Sequence, residues 1–186
     1  MDAVTADLLT PEVVVAVRAG DRTAFERLFR SWYARLADYA ARIAPSRDAA
    51  EDVVQEVFIA VWNRRDALPD ADKLAAYLHR AVRNRALNQL RSQRGTERLS
   101  ADDDGGPAVS ASIETELEDA DLAAAAQTAL NALAPRTREV FLLSREQGLT
   151  YNEIAVTLEI SVKTVETLMG RALRALRTTL APRLKE

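Results

Sequence analysis

The chain has 186 residues, 28% of them charged and 48% hydrophobic, enough for one ordinary domain or two small ones. With no cysteine it lacks the residues for disulfides, Cys-ligated zinc and thiol redox chemistry, and a single histidine, His79, argues against a His-rich metal site or a Ser–His relay. The net charge of −3 argues against nucleic acid only until it is divided: residues 1–20 carry −2, 21–94 carry +4, 95–121 carry −8 and 122–186 carry +3.

Two mildly basic blocks thus flank an acidic connector. No apolar run is long enough to cross a membrane, and no charged-then-apolar N-terminal pattern marks export, so the expected location is the cytoplasm. In the first block every segment reads as helix. Thr10 caps a short helix that starts at Pro11 and ends at Gly20. Asp21 caps the next, in which Phe25, Leu28, Phe29, Trp32, Leu36, Tyr39, Ala40 and Ile43 recur at helical spacing. Pro45 stops that helix and Ser46 caps a third. Its apolar face is Ala50, Val53, Val54, Val57, Phe58, Val61 and Trp62. A loop over 64–72 leads to a fourth helix over 73–94. Leu74, Tyr77, Leu78, Ala81 and Val82 face inward there, and His79 is expected at the surface.

The connector, residues 95–121, is dominated by Gly, Pro, Ser and acids. Such a composition buries too little apolar surface to offset the entropy of ordering, so a flexible tether is predicted, helical near its end. It either lies along a basic groove on a partner or serves as a solvated spacer. Helices over 123–133 and 135–147 follow, and no segment shows sustained strand alternation.

Residues 148–177 read as a helix-turn-helix, which lays its second helix in the DNA major groove. Gly148 ends the preceding helix. Thr150 and Glu153 have capping-box spacing, and Leu149 and Ile154 are placed as the hydrophobic staple. Glu159, Ile160 and Ser161 form the turn, with Ser161 as N-cap of the second helix. That helix turns Val162, Val165, Met169, Ala172, Leu173 and Leu176 inward. Lys163, Thr164, Thr167, Arg171 and Arg174 remain outside.

Two further outward faces differ in character. Asp48, Asp52, Gln55, Glu56 and Asn63 line the third helix opposite its core stripe, with Ile59 among them. An acidic ridge with an apolar residue in its middle suits a basic protein surface and repels DNA, although a solvated helix face would look the same. On the fourth helix Arg80, Asn84, Asn88 and Arg91 fall on one stripe, with Arg83 and Arg94 beside it. Arg neutralises phosphates and Asn reaches base edges, and the preceding loop has room for an unstacked base. Tyr33, Trp62 and Tyr77 read as core aromatics rather than stacking platforms.

DAAEDVVQEVFIAVW (residues 48–62) with YLHRAVRNRALNQLR (77–91) resembles domain 2 of bacterial RNA polymerase sigma factors of the extracytoplasmic-function (ECF, group 4) type. LAPRTREVFLLSREQGLTYNEIAVTLEISVKTVETLMGRALRALR (133–177) resembles their domain 4. The resemblance implies an all-α chain of two small helical domains joined by a flexible acidic linker. In chain order these parts are an N-terminal extension with a short helix (1–20), a domain 2-like bundle (21–94), the linker (95–121) and a domain 4-like helix-turn-helix (122–186). No domain 3 or N-terminal inhibitory region fits the length.

It implies core RNA polymerase and promoter DNA as partners, admits an anti-sigma factor, and calls for no cofactor, metal or catalytic residue. Asp48, Asp52, Gln55, Glu56 and Ile59 would dock on polymerase. Asn63, Arg64, Arg65, Arg80, Arg83, Asn84, Asn88 and Arg91 would read and melt the −10 element. Ser161, Lys163, Thr164, Thr167, Arg171 and Arg174 would read the −35 element. Arg138 and Arg145 would add contacts to phosphate or polymerase, and the linker would thread toward the RNA exit path. Glu166 and Leu168 depart from the family, which often places basic residues there, so weak −35 binding aided by tethering is expected. The helix-turn-helix alone also resembles response-regulator output domains, but no α/β receiver pattern precedes it. A helical adaptor that never touches DNA is opposed by both basic blocks. An enzyme is opposed by the lack of a nucleophile–base pair, phosphate-cradling loop or metal cluster.

Overall fold

The computed structural model describes the backbone of residues 9–97 and 117–181, with side chains over 9–93 and 124–181. These residues form eight α-helices and one 3-10 turn, with no strand among them. The chain divides into two compact units, Met1–Val109 and Ser110–Glu186.

In the first unit, α1 (Pro11–Arg18), α2 (Arg22–Ala41), α3 (Arg47–Asn63) and α4 (Ala71–Glu97) pack around one core. The helix starts are chemically local. The side chains of Thr10, Asp21 and Ser46 accept hydrogen bonds from Val13, Thr23 and Ala24, and Ala49 backbone N–H groups respectively. α1 ends where Gly20 takes φ of +88°, with Gly20 N–H bonded to Val17 O and Asp21 N–H to Ala16 O. That is a Schellman end, and it needs a residue without a Cβ.

The seam between α2 and α3 is aromatic. Phe25 lies 4.9 Å from Trp62 and 6.1 Å from Phe58, while Phe29 lies 4.9 Å from Phe58 and 5.0 Å from Tyr33. Each of the three pairs that cross between the helices contributes about 0.5–1.5 kcal/mol beyond its buried area, which ties α2 and α3 in one register. Trp62, Tyr33 and Tyr77 are half-buried.

The structure corrects the sequence reading at several points. α4 starts at Ala71, so the loop after α3 is shorter than expected and holds a 3-10 turn, Arg65–Ala67. His79 is not at the surface: it is 0% exposed. Its ring stands edge-on to Trp32 at 5.8 Å and tilted to Tyr39 at 5.4 Å, and Nδ1 donates to the Ala75 carbonyl at 2.9 Å. A carbonyl only accepts, so Nδ1 carries a proton. α2 covers this side of α4 with aromatic rings.

The second unit contains α5 (Leu117–Asn131), α6 (Pro135–Arg145), α7 (Tyr151–Leu158) and α8 (Val162–Leu180). α5 begins inside the stretch read as tether, and α4 ends inside it at Glu97. The remainder of the tether, 98–116, and the side chain of Arg94 lie outside the described residues. α6 stops at Arg145, two residues short of expectation, and Gly148 takes φ of +64° before α7. Val165, Met169, Ala172 and Leu176 of α8 are buried, but Val162 and Leu173 are not: they are 36% and 39% exposed. The two sit at the margins of the apolar stripe, where helical spacing alone cannot separate core from rim.

Candidate nucleic-acid and polymerase interfaces

The acidic ridge is built by the helical register of α3. Its core side is Ala50, Val53, Val54, Val57, Phe58 and Val61, all buried, which leaves Asp48, Asp52, Gln55, Glu56 and Ile59 exposed on the other side. Ile59, one turn before the end of α3, is 61% exposed. One contact on this ridge has no signature in the sequence: Arg85 of α4 donates from Nε to the Glu56 carboxylate in a short ion pair. The hydrogen bond from Arg85 holds the Glu56 carboxyl below the ordinary glutamate range. Arg85 follows Asn84 in α4, and only the packing of α4 on α3 turns it toward the ridge.

The second face lies on α4 and the loop before it. Asn63, Arg64, Arg80, Asn84, Asn88 and Arg91 are exposed, while Arg65 and Arg83 are half-buried. Asn88 Oδ1 accepts from Arg91 Nη1 at 3.4 Å, so these two act as one polar group at the C-terminal part of the stripe. Arg65 has an internal role as well. Its guanidinium lies over the Trp62 ring, 4.8 Å from the centroid, and Nη1 donates to the Trp62 carbonyl at 3.0 Å. A further residue absent from the sequence reading shapes this loop. Arg18 of α1 donates to the Leu68 carbonyl from Nε (3.1 Å) and Nη2 (2.6 Å), and to Asp70 Oδ1 from Nη2 (2.9 Å).

The third face is the outer side of α8, held up by its caps. Thr150 and Glu153 form the reciprocal capping box of α7, with Glu153 Oε2 2.7 Å from the Thr150 N–H. Leu149 and Ile154 are both buried, as a hydrophobic staple requires. α7 then ends at Glu159, which takes the left-handed φ of +55° without being glycine. Ile160 N–H bonds back to Ala155 O at 3.0 Å across this turn. Arg136 of α6 braces the same turn, donating to Leu158 O at 2.6 Å.

On α8, Ser161, Lys163, Thr164, Thr167, Arg171 and Arg174 are all exposed. All three hydroxyls are already engaged. Ser161 Oγ accepts from the Thr164 N–H at 3.1 Å and lies 2.8 Å from Thr164 Oγ1. Thr167 Oγ1 donates to Lys163 O at 2.8 Å. Lys163, Arg171 and Arg174 make no ion pair among the described residues. Glu166 is exposed beside them and Leu168 is half-buried. Arg138 is half-buried and caps the end of α5, donating from Nη2 to Asn131 O at 2.9 Å; Arg145 is exposed.

Among the described residues no three His, Asp or Glu side chains converge as metal ligands, and no helix is long and apolar enough to cross a membrane.

Comparison with known proteins places these surfaces in a family. Residues 28–96 match the family model for sigma-70 region 2, and residues 123–176 match that for sigma-70 region 4. The chain is 31% identical over 169 residues to the ECF RNA polymerase sigma factor SigL of Mycobacterium tuberculosis, covering 90% of this chain and 94% of SigL. It is 29% identical over 188 residues to the ECF RNA polymerase sigma-E factor of Escherichia coli, covering 95% and 97%. Among solved structures, Bartonella quintana RpoE, crystallised with the anti-sigma factor NepR, superposes with a TM-score of 0.67 at 25% identity over 84% of this chain and 96% of that one. CnrH, solved with the cytosolic domain of CnrY, gives 0.63 over 94% and 98%, and at 24% identity supports the fold alone. The chain belongs to the ECF RNA polymerase sigma factors and directs promoter-specific initiation of transcription.

Proposed function

We propose a division of that activity among the three faces. The ridge Asp48, Asp52, Gln55, Glu56 and Ile59 docks on core polymerase. Asn63, Arg64, Arg65, Arg80, Arg83, Asn84, Asn88 and Arg91 receive the −10 element and hold a base out of its stack. Ser161, Lys163, Thr164, Thr167, Arg171 and Arg174 lie against the −35 element. Residues 21–94 and 122–186 form the two working domains, with 1–20 as an extension and 95–121 as the link. The polymerase supplies the phosphoryl-transfer chemistry and its metal ions, so this chain acts by binding, in the compartment that holds the polymerase.

The observation that carries the reading is segregation of side-chain chemistry within the first unit. α3 exposes acids around a solvent-facing Ile59, and α4 exposes Arg and Asn. The acidic face excludes phosphate by charge repulsion, while the Arg/Asn face attracts it and offers paired donors and acceptors to base edges. On α8 the exposed cations Lys163, Arg171 and Arg174, without an ion pair among the described residues, support phosphate contact. Capping and back-bonding already use Ser161 and Thr167, which argues for few direct base contacts there. The departure at Glu166 and Leu168 fits the same picture, a weak second grip strengthened by tethering to polymerase.

Reconstitution tests this directly. Purified chain and core polymerase should form a complex that starts run-off transcripts from a subset of a promoter library. Failure to associate with core polymerase would remove the reading and restore the helical-adaptor alternative. A regulator of the NepR type is also proposed, and a protein that copurifies with the chain and blocks polymerase binding would identify it.

A further inference from the structure

The loop between α3 and α4 is not held by those helices alone. Its middle, Leu68, buries its side chain, and the Leu68 carbonyl receives both Nε and Nη2 of Arg18. The same guanidinium binds Asp70 Oδ1, and the Asp70 carbonyl accepts the Lys73 N–H in the first turn of α4. One planar fork from α1 therefore grips two loop residues and the start of the helix that bears Arg80 and Asn84. The turn between α1 and α2 lies near the Arg65 side chain: a Cβ at Gly20 would stand 3.4 Å from Arg65 Nε. Arg65 in turn is fixed on Trp62. What stays exposed between these anchors is Arg64, Asp66 and Ala67.

We propose that Arg18 is a positioning residue for −10 recognition: its fork onto Leu68 O and Asp70 sets the loop in the shape that accepts an unstacked base. The proposal rests on the assignment of that loop to the −10 element. A loop already in its binding shape loses little freedom when the base arrives, whereas a loop freed from Arg18 must be ordered by the DNA itself. Asp70 is the more exposed partner, so the two bonds to the buried Leu68 carbonyl carry most of the restraint. Arg18 is half-buried and acts through the loop it holds, so the role requires no contact of its own with DNA.

The test uses holoenzyme assembled from the full chain and core polymerase, with a promoter library randomised at both elements. Wild type should select preferred bases at each. Arg18→Ala should flatten the −10 preference and lower open-complex yield on the preferred promoter by on the order of tenfold, while the −35 preference persists. Arg18→Lys keeps a charge for Asp70 but not the fork, and should fall between. Asp70→Asn, which spares the Leu68 bonds, should stay near wild type. Equal flattening at both elements would mean general unfolding and overturn the proposal, with thermal unfolding of each variant as the check. If Arg18→Ala folds poorly, Arg18→Lys carries the comparison. An unchanged −10 preference in the Arg18 variants, with Arg64→Ala flattening it, overturns the role of Arg18 and leaves the loop assignment standing. An unchanged preference in all of them overturns both.

Discussion

The ion pair between Glu56 and Arg85 offers a way to separate folding from docking on the acidic ridge. Both side chains are about half exposed, 50% and 52%, so solvent screens the pair and its worth to stability is roughly 0.2–1 kcal/mol. Glu56→Arg removes that and sets two cations side by side, a repulsion of similar size, so the first unit should lose no more than about 2 kcal/mol. Docking is more sensitive. A cation of the polymerase within 4 Å of Glu56 gains about 4 kcal/mol at an effective dielectric of 20, before desolvation is subtracted. A net loss of about 1.4–2.8 kcal/mol on reversal corresponds to a tenfold to hundredfold weaker complex.

The double variant Glu56→Arg, Arg85→Glu rebuilds the pair with its charges exchanged. Thermal unfolding should then return to near wild type, while polymerase binding, measured by fluorescence anisotropy of labelled chain, stays weak. The acid now stands on α4 rather than on the ridge. The reasoning is refuted if the double variant recovers polymerase binding together with stability. Glu56 would then matter only through Arg85. The measurements belong at neutral pH. Because the folded-state pKa of Glu56 is lowered, the pair's stabilisation is present above the ordinary glutamate range and is lost as pH falls through the lowered value.

Other expectations follow from single contacts. Arg171→Ala should weaken binding to a double-stranded −35 fragment and, if the contact is to phosphate, reduce the slope of log affinity against log salt by about one. An unchanged affinity would take Arg171 off the reading face. Asn84→Ala should slow promoter opening, seen as permanganate-reactive thymines, by about tenfold for the loss of one base contact. Opening at the wild-type rate would refute the assignment of the α4 stripe. Thr150→Ala removes the N-cap bond of α7 and half of the capping box, and should destabilise the second unit by about 1 kcal/mol in denaturant titration. A midpoint that does not move would show that tertiary packing alone holds α7.

The readings that succeeded at the level of residues were the ones whose physics spans three or four positions. Thr10, Asp21, Ser46, Thr150 with Glu153, and Ser161 cap helices because an oxygen there meets an N–H two or three residues on. The apolar stripe of α3 and the exposed acids opposite it come from one helical period, so all five ridge residues could be named without a fold. Glu159 is an exception inside this range. It takes a left-handed conformation that glycine or asparagine would have signalled, and nothing about a glutamate marks the position.

By itself the amino-acid sequence determined the helices, their caps, the charge of each outward face and the helix-turn-helix. Each depends on neighbours within about one helical turn. Tertiary structure alone decided where contacts between distant residues fall. His79 is buried because α2 lays Trp32 and Tyr39 over that turn of α4. Arg85 reaches Glu56 across 29 residues, and Arg18 reaches Leu68 and Asp70 across 50 and 52. A guanidinium on a long flexible stem fits many carboxylates and carbonyls equally well in the sequence. Only the packing of α1 against the loop, and of α4 against α3, selects the one that it meets.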